Sequence, residues 1–339
     1  MPQLPSVKRF VCQGGARVYR IPCHAFPGLT GRVYLVLDAG PPTLVDTGTG
    51  EPESLRHVLD GFDTVRSEFG EPVRLADVGR IVITHAHVDH FGGLAHLKER
   101  TGAEVAVHAL DSRLIAAYEE RAVLTNHALE RFLKQAGVAP ARRTEVIAAF
   151  GYTPRRLRSV AVDRVVEDGD ALDGLRVIHT PGHSPGHVCL RIDDVLLAGD
   201  HILARTASQQ WPESIAPYTG LGHYLESLEK IRAIEGIELV LGGHEPPVRE
   251  LPGRIEEIRH THLRRLDRVQ DILRRAGRPL TIEEIADRMY SNQHGFHAML
   301  ALTDVGSRVE YLDQRGRLAV ANLDEAEAGA TPAWRYRLA

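Results

Sequence analysis

The sequence predicts an α/β domain followed by a smaller module of helices and short strands. Three observations carry this: strand-like and helix-like patterns alternate up to about residue 250, the texture changes to long helical periodicity at Pro252, and 339 residues suit two domains at ~100–200 residues each. The boundary is expected between residues 250 and 251, giving a catalytic domain over 1–250 and a C-terminal domain over 251–339.

Short β-branched runs at 17–21 (RVYRI), 32–38 (RVYLVLD) and 41–50 (PPTLVDTGTG), broken by Gly and Pro, read as antiparallel strands joined by turns. A helix follows, because Leu55, Val58, Leu59, Phe62, Val65 and Phe69 recur at helical spacing behind Glu51-Pro52-Glu53-Ser54. Strand 80–84 (RIVIT) runs straight into HAHVDHFGG, with a helix at LAHLKER and a strand at AEVAVHA behind it. Residues 110–160 are helical in pattern and rich in Arg and Ala, which predicts a helical insertion; a plain crossover connection is the alternative. Strand signals return at 175–183, 187–193 and 195–200, then a helix at about 221–235 and a last strand within 238–247.

Beyond Pro252, Ile255, Ile258, His262, Leu266, Val269 and Leu273 line one side of a long amphipathic helix. Thr281 stands three residues before Glu284, the spacing of a capping box, and opens a second helix. A third helix and two short strands around Gly316 complete the pattern of a winged helix, with the DEAEAGA bend at 324–330 as its wing tip.

Composition bounds the function. A net charge of −4, from 41 Lys+Arg against 45 Asp+Glu, with 43% hydrophobic residues, is ordinary for a soluble globular protein and argues against nucleic-acid binding by bulk electrostatics. No run approaches the ~18 apolar residues of a membrane helix, and MPQLPSVKRFVCQGG lacks a signal-peptide core. Cys12, Cys23 and Cys189 are too few and too odd in number for a disulfide framework. These readings together predict a cytoplasmic protein with no membrane partner.

The chemistry is concentrated in His85, His87, Asp89 and His90, four ligand-type residues within six positions after a buried strand. Residues two apart in extended chain point the same way, so His85 and His87 suit one metal while the turn at Asp89-His90 serves a second. A lone histidine at a strand end is normally just a polar residue; four in this spacing point to Zn²⁺ or Fe. His183 in TPGHSPGH, Asp200 in LLAGD and His244 in LGGHEPP also end predicted strands, beside Gly or Pro residues that allow sharp turns.

In this order, HAHVDH, His183, Asp200 and His244, the sequence resembles the metallo-β-lactamase superfamily over residues 15–250. The resemblance implies a four-layer αβ/βα sandwich with a dinuclear site. His85, His87 and His183 would bind the first metal, Asp89, His90 and His244 the second, and Asp200 would bridge them. It implies two zinc ions, with Fe or Mn as alternatives, and hydrolysis by a metal-bridging hydroxide, with Asp89 orienting it or accepting a proton. Asp46 in VDTG matches a recurrent family position that orients a ligand, although a turn-capping Asp is an equal reading. His201 is expected to support its neighbour Asp200, whereas His223 and His294 read as ordinary polar residues. Tyr218 and Tyr224 are the expected substrate contacts, with plain burial the competing explanation for Tyr224.

The segment GDHILARTASQQWPES, with TPGHSPGHVCL before it and the tail after it, is similar to the β-lactamase-like protein 2 subgroup. That subgroup contains hydrolases of unassigned substrate and single-strand-specific endoribonucleases. The 43 residues between Asp200 and His244 leave no room for the insertion of β-CASP nucleases, and residues 255–339 carry 13 Arg, 13 Asp+Glu and no Lys. The expected substrate is therefore a small ester, lactone or thioester, with Tyr118, Phe132, Phe150 and Tyr152 of the 110–160 insertion read either as an apolar lid or, as aromatics at helical spacing more often are, as plain core. Single-stranded RNA is the alternative, and a DNA-binding regulator with a vestigial site is the third reading, disfavoured by an intact ligand set. A homodimer is the default expectation for a soluble enzyme.

Overall fold

The structure, a computed structural model, describes residues 4–150, 157–328 and 332–339. The first sheet holds seven strands in sequence order: β1 (Lys8–Val11), β2 (Arg17–Phe26), β3 (Leu29–Leu37), β4 (Thr43–Val45), β5 (Arg80–Ile83), β6 (Glu104–His108) and β7 (Arg164–Val166). β1 to β4 pair antiparallel through tight turns, and β4 to β7 pair parallel through helical crossovers. Those crossovers are α1 (Pro52–Phe69), then α2 (Val88–Phe91) and α3 (Leu94–Thr101), then α4 (Ala109–Ala116), α5 (Tyr118–Gln135) and α6 (Pro140–Phe150). α1 begins with Pro at its first position, where the missing N–H costs nothing, and stops at left-handed Gly70. It packs on β2 so closely that a Cβ on Gly61 would collide with Ile21.

The second sheet comprises β8 (Ala171–Leu172), β9 (Leu175–His179), β10 (Val188–Ile192), β11 (Val195–Gly199) and β12 (Leu239–Gly242), in the order β12-β11-β10-β9-β8. Between β11 and β12, which pair parallel, runs α7 (Leu221–Arg232). The two sheets face each other through one apolar core. Val18, Tyr34, Val36, Val45, Val82, Ala106 and Val166 of the first meet Leu172, Leu175, Val177, Val188, Leu190, Ile192, Leu197 and Leu241 of the second. Both sheets are mixed, and α-helices provide the connections between their parallel strands, which agrees with the α/β reading.

The chain forms two compact units, but these do not follow sequence order. The first contains residues 1–121, 154–208 and 227–255; the second contains 122–153, 209–226 and 256–339. Helices from the 110–160 insertion thus join α8 (Leu251–Ala276), α9 (Ile282–Met289) and α10 (Gly295–Gln314) of the tail. The physical cause is amphipathicity: an inserted helix must bury its apolar side, and here it does so on the tail helices. A Cβ on Gly306 of α10 would collide with the Phe132 ring of α5, and Arg142 of α6 pairs with Glu283 and Asp287 of α9. The capping box at Thr281 and Glu284 forms as expected. β13 (Leu318–Val320) and β14 (Tyr336–Leu338) pair antiparallel, keeping the expected order of three helices and two strands. The segment expected as a bend at 324–330 is instead partly helical, as α11 (Leu323–Glu327), and its residues 329 and 330 lie outside the described residues. Three acidic residues in this segment, two of them in the first turn, complement the helix dipole there. Among the described residues no helix is long and apolar enough to cross a membrane.

Candidate metal centre

One end of the sandwich gathers the ligand-type side chains, because β4, β5, β11 and β12 all run toward it and each delivers its residue in the following turn. After β4, Asp46 takes a left-handed backbone (φ 63°) and turns its carboxylate inward. It accepts hydrogen bonds from Thr84 N at 2.8 Å, from Thr84 Oγ1 at 2.8 Å and from His90 Nδ1 at 2.8 Å. That last bond fixes the tautomer of His90 and leaves Nε2 as the nitrogen facing the cluster. Asp46 therefore ties the end of β5 at Thr84 and orients His90.

The HAHVDH turn is tied down on both sides. Ala86 N donates to Asp111 Oδ2 at 2.9 Å, and Thr47 N and Oγ1 donate to His90 O at 2.6 and 2.8 Å. Gly92 and Gly93, after α2, sit so close to the carbonyls of Thr49 and Thr47 that any side chain would collide with them. Asp111 also accepts from Gly186 N at 2.8 Å and Ser184 Oγ at 3.2 Å, so one buried carboxylate locks the His85 loop to the His183 loop.

Three further rings are held by the nitrogen that faces away from the cluster, while His87 Nδ1 lies 3.0 Å from His85 Nε2. His183 Nδ1 bonds Ser208 Oγ at 2.8 Å, His85 Nδ1 bonds Thr84 Oγ1 at 3.1 Å, and His244 Nδ1 donates to Thr30 O at 3.1 Å. Asp200 is positioned through its backbone, whose N–H donates to His187 Nε2 at 3.1 Å, while His187 Nδ1 bonds Thr180 Oγ1 at 2.8 Å.

The result is three overlapping groups whose ligand atoms lie within 4.8 Å of one another: His85, His87 and His183; His85, His90 and Asp200; Asp89, His90 and His244. Asp200 reaches across them, with Oδ2 3.7 Å from His183 Nε2 and 3.2 Å from His244 Nε2, and Oδ1 3.5 Å from His90 Nε2. Asp89 Oδ2 stands 3.3 Å from His244 Nε2.

These residues fit a divalent cation. His90 Nε2 and Asp200 Oδ1 are sealed from solvent, stand 3.5 Å apart at the outer limit of a hydrogen bond, and have no well-aligned hydrogen-bond partner among the described residues. Two buried polar atoms so placed cost free energy that a cation between them would offset. Gly243 preserves that space, since a Cβ there would collide with Asp200 Oδ1 and His90 Cε1. The charges agree. Burial, then the neighbouring His90 and His87, hold His85 well below its usual pKa, and burial with His183 pushes His87 down to about 3, which keeps both as neutral nitrogen donors. Around His90 the carboxylates of Asp46, Asp200 and Asp89 outweigh burial and raise its pKa to about 10, marking this side as the one where positive charge is stabilised.

All seven expected ligands therefore come together. His201 is buried beside Asp200, its ring centroid 5.9 Å from that of His187, and burial pushes its pKa down to about 3. Tyr224, one of the two expected substrate contacts, is fully buried and meets His262 edge-to-face at 5.3 Å, a core position in the second unit. Tyr218 is 49% exposed and its ring lies 5.8 Å from His223, which itself pairs with Glu213. Of the aromatic residues expected in a lid, Tyr118 packs against Phe91 of α2 and Phe132 is buried in the second unit, while Tyr152 and the Phe150 side chain lie outside the described residues. The sequence reading missed Asp111, His187, Thr84 and Ser208. For His187 a signal existed, the second histidine of TPGHSPGH.

The sequence matches the family described as "Metallo-beta-lactamase superfamily" over residues 27–244. The chain belongs to the metallo-β-lactamase superfamily. Within this superfamily it is 25% identical to the "Beta-lactamase-like protein 2 homolog" of Drosophila melanogaster, over 87% of this chain and 86% of the relative. It is 27% identical to the "Acyl-coenzyme A thioesterase MBLAC2" of Bos taurus, over 64% of this chain and 74% of the relative. Its fold matches a β-lactamase domain protein from Burkholderia ambifaria with a TM-score of 0.77 at 25% identity, covering 100% of this chain and 96% of that one. The superfamily and its His/Asp clusters make this chain a metal-binding hydrolase.

Proposed function

We propose that this hydrolase cleaves a small carboxylic ester, lactone or thioester, thioesters foremost, at a dinuclear zinc site. The observation that carries the reading is the convergence of His90, His183 and His244 on a single carboxylate, Asp200, at one end of the sandwich. The similarity to a relative named as an acyl-coenzyme A thioesterase supports the choice of thioester.

Two bound Zn²⁺ ions would supply Lewis acidity, activating water near neutral pH and polarising the substrate carbonyl. His85, His87 and His183 would hold one ion, Asp89, His90 and His244 the other, and Asp200 both. The protein's own part is positional. Asp46, Thr84, Ser208 and Thr30 fix the rings, so the donors are preorganised rather than recruited. Asp89, whose side chain is 10% exposed beside His244, would be the carboxylate that orients the attacking water and takes its proton at Oδ2. Water adds its oxygen to the acyl carbon, the C–S or C–O bond breaks, and the leaving thiolate or alkoxide takes a proton to depart as thiol or alcohol.

Release of free thiol from acetyl-coenzyme A and a long-chain acyl-coenzyme A tests this reading directly. The zinc-loaded wild type is expected to release thiol at a rate that Asp200→Ala, prepared identically, does not reach. Cleavage of end-labelled single-stranded RNA by wild type alone, with no thiol released, would replace the ester reading with the endoribonuclease one.

A further inference from the structure

Two arginines of the first sheet are buried without a counter-charge. Arg20 of β2 pairs in register with Tyr34 of β3, and Arg32 stands two residues along β3, so both share the face that carries the core residues Val18, Tyr34 and Val36. Arg20 is 5% exposed and Arg32 8%. Nε of Arg20 and both Nε and Nη1 of Arg32 are closed to solvent and have no hydrogen-bond partner among the described residues. No carboxylate of the described residues pairs with either side chain, and residues 1–3, 151–156 and 329–331, outside the description, contain no Asp or Glu. A guanidinium does not deprotonate in a protein, so two adjacent buried cations stay charged and repel each other. Arg20 Cζ lies 5.8 Å from the centre of the Phe10 ring, which offsets part of one charge, and an anion from outside the chain would balance the rest.

Its location says what brings it. On β3, Arg32 is flanked by Thr30, whose carbonyl accepts from His244 Nδ1, and Tyr34, whose hydroxyl donates to Gly242 O at 2.6 Å. The pair therefore stands beside the loop that carries a ligand of the metal centre. Planar guanidinium forks match the two oxygens of a carboxylate or phosphate.

We propose that Arg20 and Arg32 form an oxyanion-binding site next to His244, and that the ester or thioester substrate carries the carboxylate or phosphate that fills it. The substrate half of this statement rests on the function proposed above; the binding site does not.

Binding is read first, by thermal melting with inorganic phosphate. Phosphate is expected to raise the melting temperature of wild type and of metal-depleted Asp200→Ala by about 2 °C or more, and of neither Arg20→Met nor Arg32→Met. Without phosphate, Arg32→Met should melt no lower than wild type, because it removes an unpaired buried charge; Arg32→Lys, which keeps the charge without the fork, should lose most of the response. A response that survives in both Met variants, or that disappears only in Asp200→Ala, overturns the site. Specificity is read second, as the ratio of kcat/KM for a charged thioester to that for neutral S-ethyl thioacetate. Acetyl-coenzyme A supplies phosphate and S-acetylmercaptosuccinate supplies carboxylate, and whichever ratio falls at least tenfold in Arg32→Met names the group. Equal loss on charged and neutral thioesters overturns the substrate assignment. If wild type cleaves no thioester but keeps its phosphate response, the proposed function fails and the anion site stands.

Discussion

The two units each bury arginine, and the contrast between them separates structure from function. In the second unit, fully buried Arg308 pairs with Asp304 at 2.6 Å one turn away on the same helix and donates to His262 Nδ1 at 3.2 Å. Asp304 also accepts from the Tyr290 hydroxyl at 2.6 Å. Arg265 also stands 3.6 Å from Asp304, and buried Arg308 thus has its counter-charge within the chain, although its Nε finds no hydrogen-bond partner among the described residues. In the first unit, Arg20 and Arg32 have no such partner, and His90 and Asp200 face each other with ligand atoms to spare. Burial of polar groups is common to both. What marks a site is the charge that the chain does not itself balance.

The comparison can be broken at several points. The largest stability effect is expected at Asp304→Ala, which strands Arg308 in the interior and should cost about 3–5 kcal/mol in denaturant unfolding. A loss below about 1 kcal/mol would show that Asp304 is not the counter-charge described. Next is Asp111→Ala, which frees the Ala86 and Gly186 N–H groups; about 1–3 kcal/mol of stability and roughly 10–100-fold in metal affinity should go with it, measured by unfolding and by competition with a chelator. Asp46→Asn should lower metal affinity by a similar roughly 10–100-fold with a smaller stability change, since His90 keeps its place but loses its orienting charge.

The last test reads a slope, the pH dependence of stability in the second unit. Burial, then Arg308 and Arg265, hold His262 down at about 3, against about 6.5 in the unfolded chain. Between those values the unfolded state binds the extra proton, so this contribution is complete above pH ~6.5 and declines as pH falls toward 3. His262→Gln should flatten that limb of the stability–pH curve, and an unchanged slope would remove His262 as its source.

Much of this was legible in the sequence, for a definite reason. The seven ligands are rare residue types concentrated at predicted strand ends, so residue identity and spacing point to the same place. Asp111 and Ser208 lie in segments where Asp and Ser need no explanation, and only the fold brings them to His183 and Ala86. Arg20 and Arg32 left a trace, since each falls in phase with apolar neighbours, Val18 on β2 and Tyr34 and Val36 on β3. A charge in phase with a buried face is a local conflict, and such conflicts mark sites. The composition of the second unit left none. Helical periodicity tells that the 122–153 and 256–339 segments each have an apolar side, but not that they bury it on each other.

Metal content per chain, measured on wild type and Asp200→Ala after equal zinc loading and desalting, tests the central claim most directly. Convergence on a shared carboxylate predicts two ions in wild type and a clear loss in Asp200→Ala, with the circular dichroism of the two proteins unchanged. Equal metal content in both, or none in the wild type, would contradict it.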